Sequence, residues 1–78
     1  MKYIIIELQT TNGTMALDST VKSTYETAEQ EYHRRLMYAA VSSVHLHAVT
    51  ILGENGKEIK HECYDHRVPE VEEEVDAE

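Results

Sequence analysis

The sequence predicts an α+β fold of the ββαββ kind, with one helix packed on an antiparallel four-stranded sheet built from two Asn-Gly hairpins. Three observations carry this expectation. A helical period runs unbroken from Ser23 to Ser43, Asn-Gly pairs stand at Asn12-Gly13 and Asn55-Gly56, and alternating apolar runs flank each pair. The order is therefore hairpin, helix, hairpin, and 78 residues leave room for one domain. That domain is expected over residues 1–67, followed by an acidic, disordered tail over residues 68–78.

In the first strand, Ile4, Ile6 and Leu8 alternate with Tyr3, Ile5, Glu7 and Gln9. Asn12-Gly13 supplies the two positive φ angles of a type I′ turn, and Met15, Leu17, Ser19 and Val21 then form the inward set of a second strand. The helix is predicted from about Thr24 to Ser42, opened by a capping box of Ser23 with Glu26. At 100° per residue, Tyr25, Ala28, Tyr32, Leu36 and Ala39 share one arc, while Thr27, Glu31, Arg34 and Arg35 face water on the other side. A third strand runs from Val44 to Leu52, with Val44, Leu46, Ala48, Thr50 and Leu52 opposite His45, His47, Val49 and Ile51. After the second Asn-Gly turn, Lys57 to His66 alternates Ile59, His61, Cys63 and Asp65 with Glu58, Lys60, Glu62, Tyr64 and His66.

One helix covers one face of such a sheet, and the apolar residues exceed what that face needs. Tyr3, Ile5, Val49, Ile51 and Tyr64 are expected on the face turned away from the helix, and Leu36 to Val41 is apolar almost all round. A homo-oligomer, a dimer or higher, is expected to cover them. Its interface would use Ile5, Val49 and Ile51 from the sheet, or Met37 and Val41 from the helix end.

The net charge of -8 is concentrated at one end of the chain. Residues 70–78 carry six acids and no base, which leaves nine acids against seven bases, or -2, in residues 1–69. No basic stripe exists to meet a phosphate backbone, so nucleic acid is not an expected partner. The apolar run after Lys2 meets Glu7 too early for a signal segment or a membrane span, and a single cysteine excludes an internal disulfide. A cytoplasmic protein without membrane contact is the expectation.

Candidate chemistry is sparse. His45 and His47 leave the same strand face, but no third ligand has the spacing of a structural metal site, so no metal and no cofactor are expected. Cys63 has no glycine-rich elbow around it and reads as a small buried hydrophobe, so no catalytic group is assigned and the chain is not expected to be an enzyme. The better candidate is the border of the helix. There Glu29, Tyr32, His33 and Ser42 set hydrogen-bonding groups beside apolar ones, with Tyr64 and His66 of the last strand as neighbours. Tyr32 offers a ring face and a hydroxyl, which suits a base or ribose better than a phosphate.

The runs Lys2-Tyr3-Ile4-Ile5-Ile6-Glu7-Leu8-Gln9, Ala28-Glu29-x-x-Tyr32-His33, Ala39-Ala40-Val41-Ser42-Ser43-Val44 and Glu62-Cys63-Tyr64-x-His66 resemble a group of short hypothetical proteins encoded in phages and prophages of Firmicutes. The likeness spans nearly the whole chain except the acidic tail and departs at His45, where related chains often carry another residue such as proline. It implies an origin in phage genomes and a place in the bacterial host cell. Taken with the helix border, it leads to a non-enzymatic binding protein that captures a host factor or a nucleotide-like signalling molecule, as an anti-defence sponge. The alternative is a virion structural or assembly accessory acting through self-association.

Overall fold

Asn12 and Gly13 both take positive φ, 52° and 80°, as a type I′ turn requires. They join β1 (Tyr3–Thr11) to β2 (Thr14–Lys22) with Thr11 opposite Thr14 and Tyr3 opposite Lys22. The computed structural model describes residues 1–67, so the tail expected over residues 68–78 lies outside the described residues. Within them the chain continues as α1 (Tyr25–Ala40), β3 (Leu46–Gly53) and β4 (Glu58–Asp65). The strands form one antiparallel sheet in the order β2-β1-β3-β4, with α1 laid on one face. The predicted ββαββ fold is the observed one.

Local chemistry sets the element ends. Thr24, rather than Ser23, caps α1: its backbone is extended and its hydroxyl accepts the Thr27 N–H at 3.2 Å. The helix stops at Ala40, where the Val41 and Ser42 N–H groups turn back to the carbonyls of Tyr38 and Ala39. The second Asn-Gly hairpin is built differently from the first. Only Gly56 is left-handed, at φ 81°, and its N–H donates to the Gly53 carbonyl while the Gly53 N–H donates to Lys57. The turn needs one left-handed residue instead of two, and the register between β3 and β4 slips at Ile51/Leu52.

The expected sidedness of the sheet is reversed. Ile5, Val49 and Ile51 are fully buried, and with Ala28 and Tyr32 of α1 they form the core, flanked by Tyr3 and Leu36. They lie beneath the helix and cannot form the sheet's second face. Burying each of these side chains favours folding by about 1.5–3 kcal/mol. Conversely, Met15, Leu17 and Val21, expected inward, are 63%, 65% and 59% exposed. The register sets them beside Ile4, Ile6 and Leu8, and those beside Leu46, Ala48 and Leu52, on the face away from α1. Cys63, expected to be buried, is exposed on that face opposite Ala48. Alternation could not choose between the faces, because both alternating sets of β1 and β3 are apolar. The choice falls to the polar residues Glu7 and His47, which follow the helix.

Met37 and Val41 are exposed on the helix end, and no described helix is long and apolar enough to cross a membrane. The core assignment has a direct test. Ile51→Ala should cost about 2–5 kcal/mol in urea unfolding, whereas Met37→Ala should stay within about 0.5 kcal/mol. Equal effects from the two would sink it.

Candidate functional site

Ala28, Tyr32, Arg35 and Ala39 are the buried residues of α1, spaced four, three and four apart, so one stripe of the helix carries a guanidinium into the domain. Arg35 is 7% exposed. Its Nε donates to Glu31 at 2.7 Å, its Nη1 to Glu7 and to Asp18 (3.0 Å), and its Nη2 to the Thr20 hydroxyl at 2.7 Å. Glu31 is held further by Arg34. The expectation that Arg35 faces water is therefore corrected: the fork of its guanidinium matches carboxylates supplied by β1 and β2 on the helix side of the sheet.

Glu7 binds a second partner. Its other oxygen meets His47 Nε2 at 2.5 Å, and His47 Nδ1 lies 2.9 Å from the Ser42 hydroxyl. Burial pushes the Glu7 carboxyl up, but hydrogen bonds from His47, Arg35 and Gln9 outweigh it and hold the group below the usual carboxylate range. For Glu31 the bonds from Arg34 lead, and the carboxyl is likewise lowered. The Val44 N–H donates to Ser42 Oγ at 3.3 Å, so one consistent tautomer has the serine donating to Nδ1 and His47 Nε2–H donating to Glu7.

Ser42, His47 and Glu7 thus have the composition of a proton relay. Ser42 follows the C-terminus of α1, the negative end of the helix dipole, where an oxyanion would be disfavoured. The nearby Val41 and Ser42 N–H groups are already donated to helix carbonyls. What the relay does is tie three elements together: the helix end through Ser42, β3 through His47, and β1 through Glu7.

Five of the six residues expected at the helix border gather there. Glu29 accepts from Lys60 at 2.6 Å and stands 3.8 Å from His33 Nε2, and the Lys60 bond leads in lowering the Glu29 carboxyl. Tyr64 and His66 stack at 6.0 Å, and His66 Nε2–H donates to the Ala39 carbonyl at 2.7 Å. Tyr32 is 5% exposed, its ring under the Lys60 ammonium at 5.9 Å and against the edge of His33, so burial pushes its phenol up and its faces are occupied. Ser42 stands apart, bonded to His47. The Lys60 to Glu29 bridge spans the space between β4 and α1, where a groove was expected.

His45 and His47 take different partners, Asn12 and the buried relay, and among the described residues no three His, Cys, Asp or Glu side chains come together as a metal site. Compared with family models, curated proteins and solved structures, the chain matches none. The residues that sequence reasoning missed are Arg35, Glu7, Asp18, Thr20 and His47. Two signals pointed to them: Arg35 falls on the spacing that joins Tyr32 to Ala39, and Glu7 is a lone carboxylate in an apolar strand.

Removing one partner should expose how far the network is buried. Arg35→Met should cost about 3–5 kcal/mol, because it leaves the carboxylates of Glu7 and Glu31 without their cation, while Ser42→Ala should cost about 1 kcal/mol. A loss for Arg35→Met under 1 kcal/mol in chemical denaturation would mean that the guanidinium is solvated. The pH dependence follows from Glu7, Glu29, Glu31 and Asp65, all lowered when folded, with Asp65 at about 2 beside Arg67. Their unfolded forms bind protons more tightly, so their contribution is complete above the ordinary carboxylate pKa and is lost as pH falls through the lowered values. The urea midpoint should therefore hold near neutrality and drop below about pH 4.5, the reference carboxylate value. A midpoint that rises on acidification would contradict this assignment.

Proposed function

We propose that the protein is a small non-enzymatic binding protein of the phage type, and that its working surface is the open face of the sheet rather than a ligand groove. The observation that carries this reading is the exposure of Met15, Leu17 and Val21 beside the apolar rows of β1 and β3, a continuous surface with no helix over it. Monomeric proteins rarely show a large contiguous apolar patch unless something binds there. The acid-base residues, by contrast, are consumed in holding the helix to the sheet. A protein–protein contact fits such a surface, with a second copy of the chain or with a component of the host or virion, and it joins the binding and self-association roles to which the phage resemblance leads.

A small planar ligand keeps one observation in its favour. Tyr64 and His66 form a stacked aromatic pair at the helix border, where His66 is bonded to the Ala39 carbonyl. Thermal shift against a panel of nucleotides and cyclic nucleotide signals tests it. A rise in melting temperature that Tyr64→Ala abolishes would move the working surface to that border.

The principal reading is tested in infected cells with tagged protein. Wild type should retain a defined set of host or phage proteins, and Leu17→Asp should lose it while keeping its circular dichroism spectrum. Recovery of the same proteins by both would remove the open face from the function.

A further inference from the structure

We infer that the open sheet face is occupied by a second copy of this chain, packed sheet against sheet, an inference that rests on the reading of that face as the working surface. Charge is the first argument. A symmetric contact sets each residue patch against its own copy, so a charged face repels itself. The chain carries a net charge of -8, yet on this face β1, β2 and β3 present only neutral side chains, Ile4, Ile6, Leu8 and Thr10 among them. The charged residues of β1 and β2, Glu7, Asp18 and Lys22, lie on the helix side. Only β4 brings titratable groups to the open face, at its outer margin: Glu58 opposite Leu52, His61 bonded to Thr50, Cys63 opposite Ala48, and Asp65 paired with Arg67. Across β1, β2 and β3 a partner of opposite charge has nothing to recognise, whereas an identical neutral surface meets no repulsion, and the margin acid Glu58 of β4 sits at the edge of such a contact.

Size is the second argument. Four strands spaced about 4.8 Å apart, with eight residues rising about 3.3 Å each, give a flat footprint on the order of 500 Å² per copy. Two such faces, roughened by side chains, bury upward of roughly 1,000 Å², which reaches the range of specific interfaces. Two twisted sheets pack face to face about 10 Å apart with their strands within about 30° of alignment. The edge strand β2 then gains most, because Met15, Leu17 and Val21 are its exposed apolar side chains.

Light scattering on the full chain between about 1 and 100 µM should give twice the 9.0 kDa chain mass for wild type. Leu17→Asp should give the mass of one chain with an unchanged circular dichroism spectrum, and Met15→Asp, nearer the hairpin tip, repeats the test if that variant fails to fold. Val41→Asp, on the exposed helix end, should leave the doubled mass intact. Cys63, exposed on the same face in a single chain, supplies a second readout: maleimide should label it at least several-fold faster in Leu17→Asp than in wild type. A monomeric wild type at 100 µM overturns self-association and leaves the open face free for another protein, which the retention experiment decides separately. A doubled mass lost in Val41→Asp and kept in both β2 variants assigns the contact to the helix end and overturns the inference. Equal labelling rates at Cys63 would do the same.

Discussion

The contact on which the rest of the structure depends is the one between Arg35 and Glu7. β1 can face the helix with either of two apolar sets, Tyr3 and Ile5 or Ile4, Ile6 and Leu8, and the hydrophobic effect barely distinguishes them. Turning β1 over would bury a comparable apolar area. It would also take Glu7 away from the helix, strip Arg35 of a carboxylate inside the domain, and leave His47 without a partner for Nε2. Each of these costs more than the difference between two aliphatic sets. The buried ions therefore act as a selector of face and register. Their net contribution to stability is a separate and smaller matter, since a buried ion pair often does no better than well-packed apolar residues.

From that choice the distribution of surface follows. β1 is paired on both sides, so fixing its orientation fixes which faces of β2 and β3 look toward the helix. Asp18 and Thr20 are drawn inward to share the guanidinium, and Met15, Leu17 and Val21 are forced outward by the same alternation. A polar network on one side of the sheet thus produces an apolar surface on the other. The two features are one consequence of strand geometry, in which successive side chains must leave opposite faces.

The sequence made the fold legible to the level of element type and order, because those signals are local. Asn12-Gly13 demands left-handed backbone, the helical stripe is long, and Gly and Pro are absent from the interior of α1. Sidedness was not legible by the same means, since it is decided by residues far apart in sequence, Glu7, His47 and Arg35, meeting in space. Treating Arg35 as solvent-facing follows the usual behaviour of isolated charges and fails where it pairs with Glu7. The helix border was partly legible: Glu29, Tyr32, His33, Tyr64 and His66 are neighbours there, while Ser42 joined the buried relay. Cys63 illustrates the same limit, a residue type that is usually buried placed on an exposed face by the register of its strand.

What this arrangement can do is constrained by where its reactive groups ended up. Ser42, His47 and Glu7 would be the natural machinery of a hydrolase, yet each hydrogen-bonding atom of the relay is committed to holding an element in place, and the helix end beside Ser42 presents carbonyls instead of donors. Chemistry needs a group held ready and left unsatisfied until substrate arrives. Here the polar groups of the relay are paired, and an apolar surface is spread across the open sheet. A chain of this size, with a marginal core of its own, gains most from having that surface covered. Under the proposed reading, a contact on the open face would also complete the second layer that the single helix leaves out.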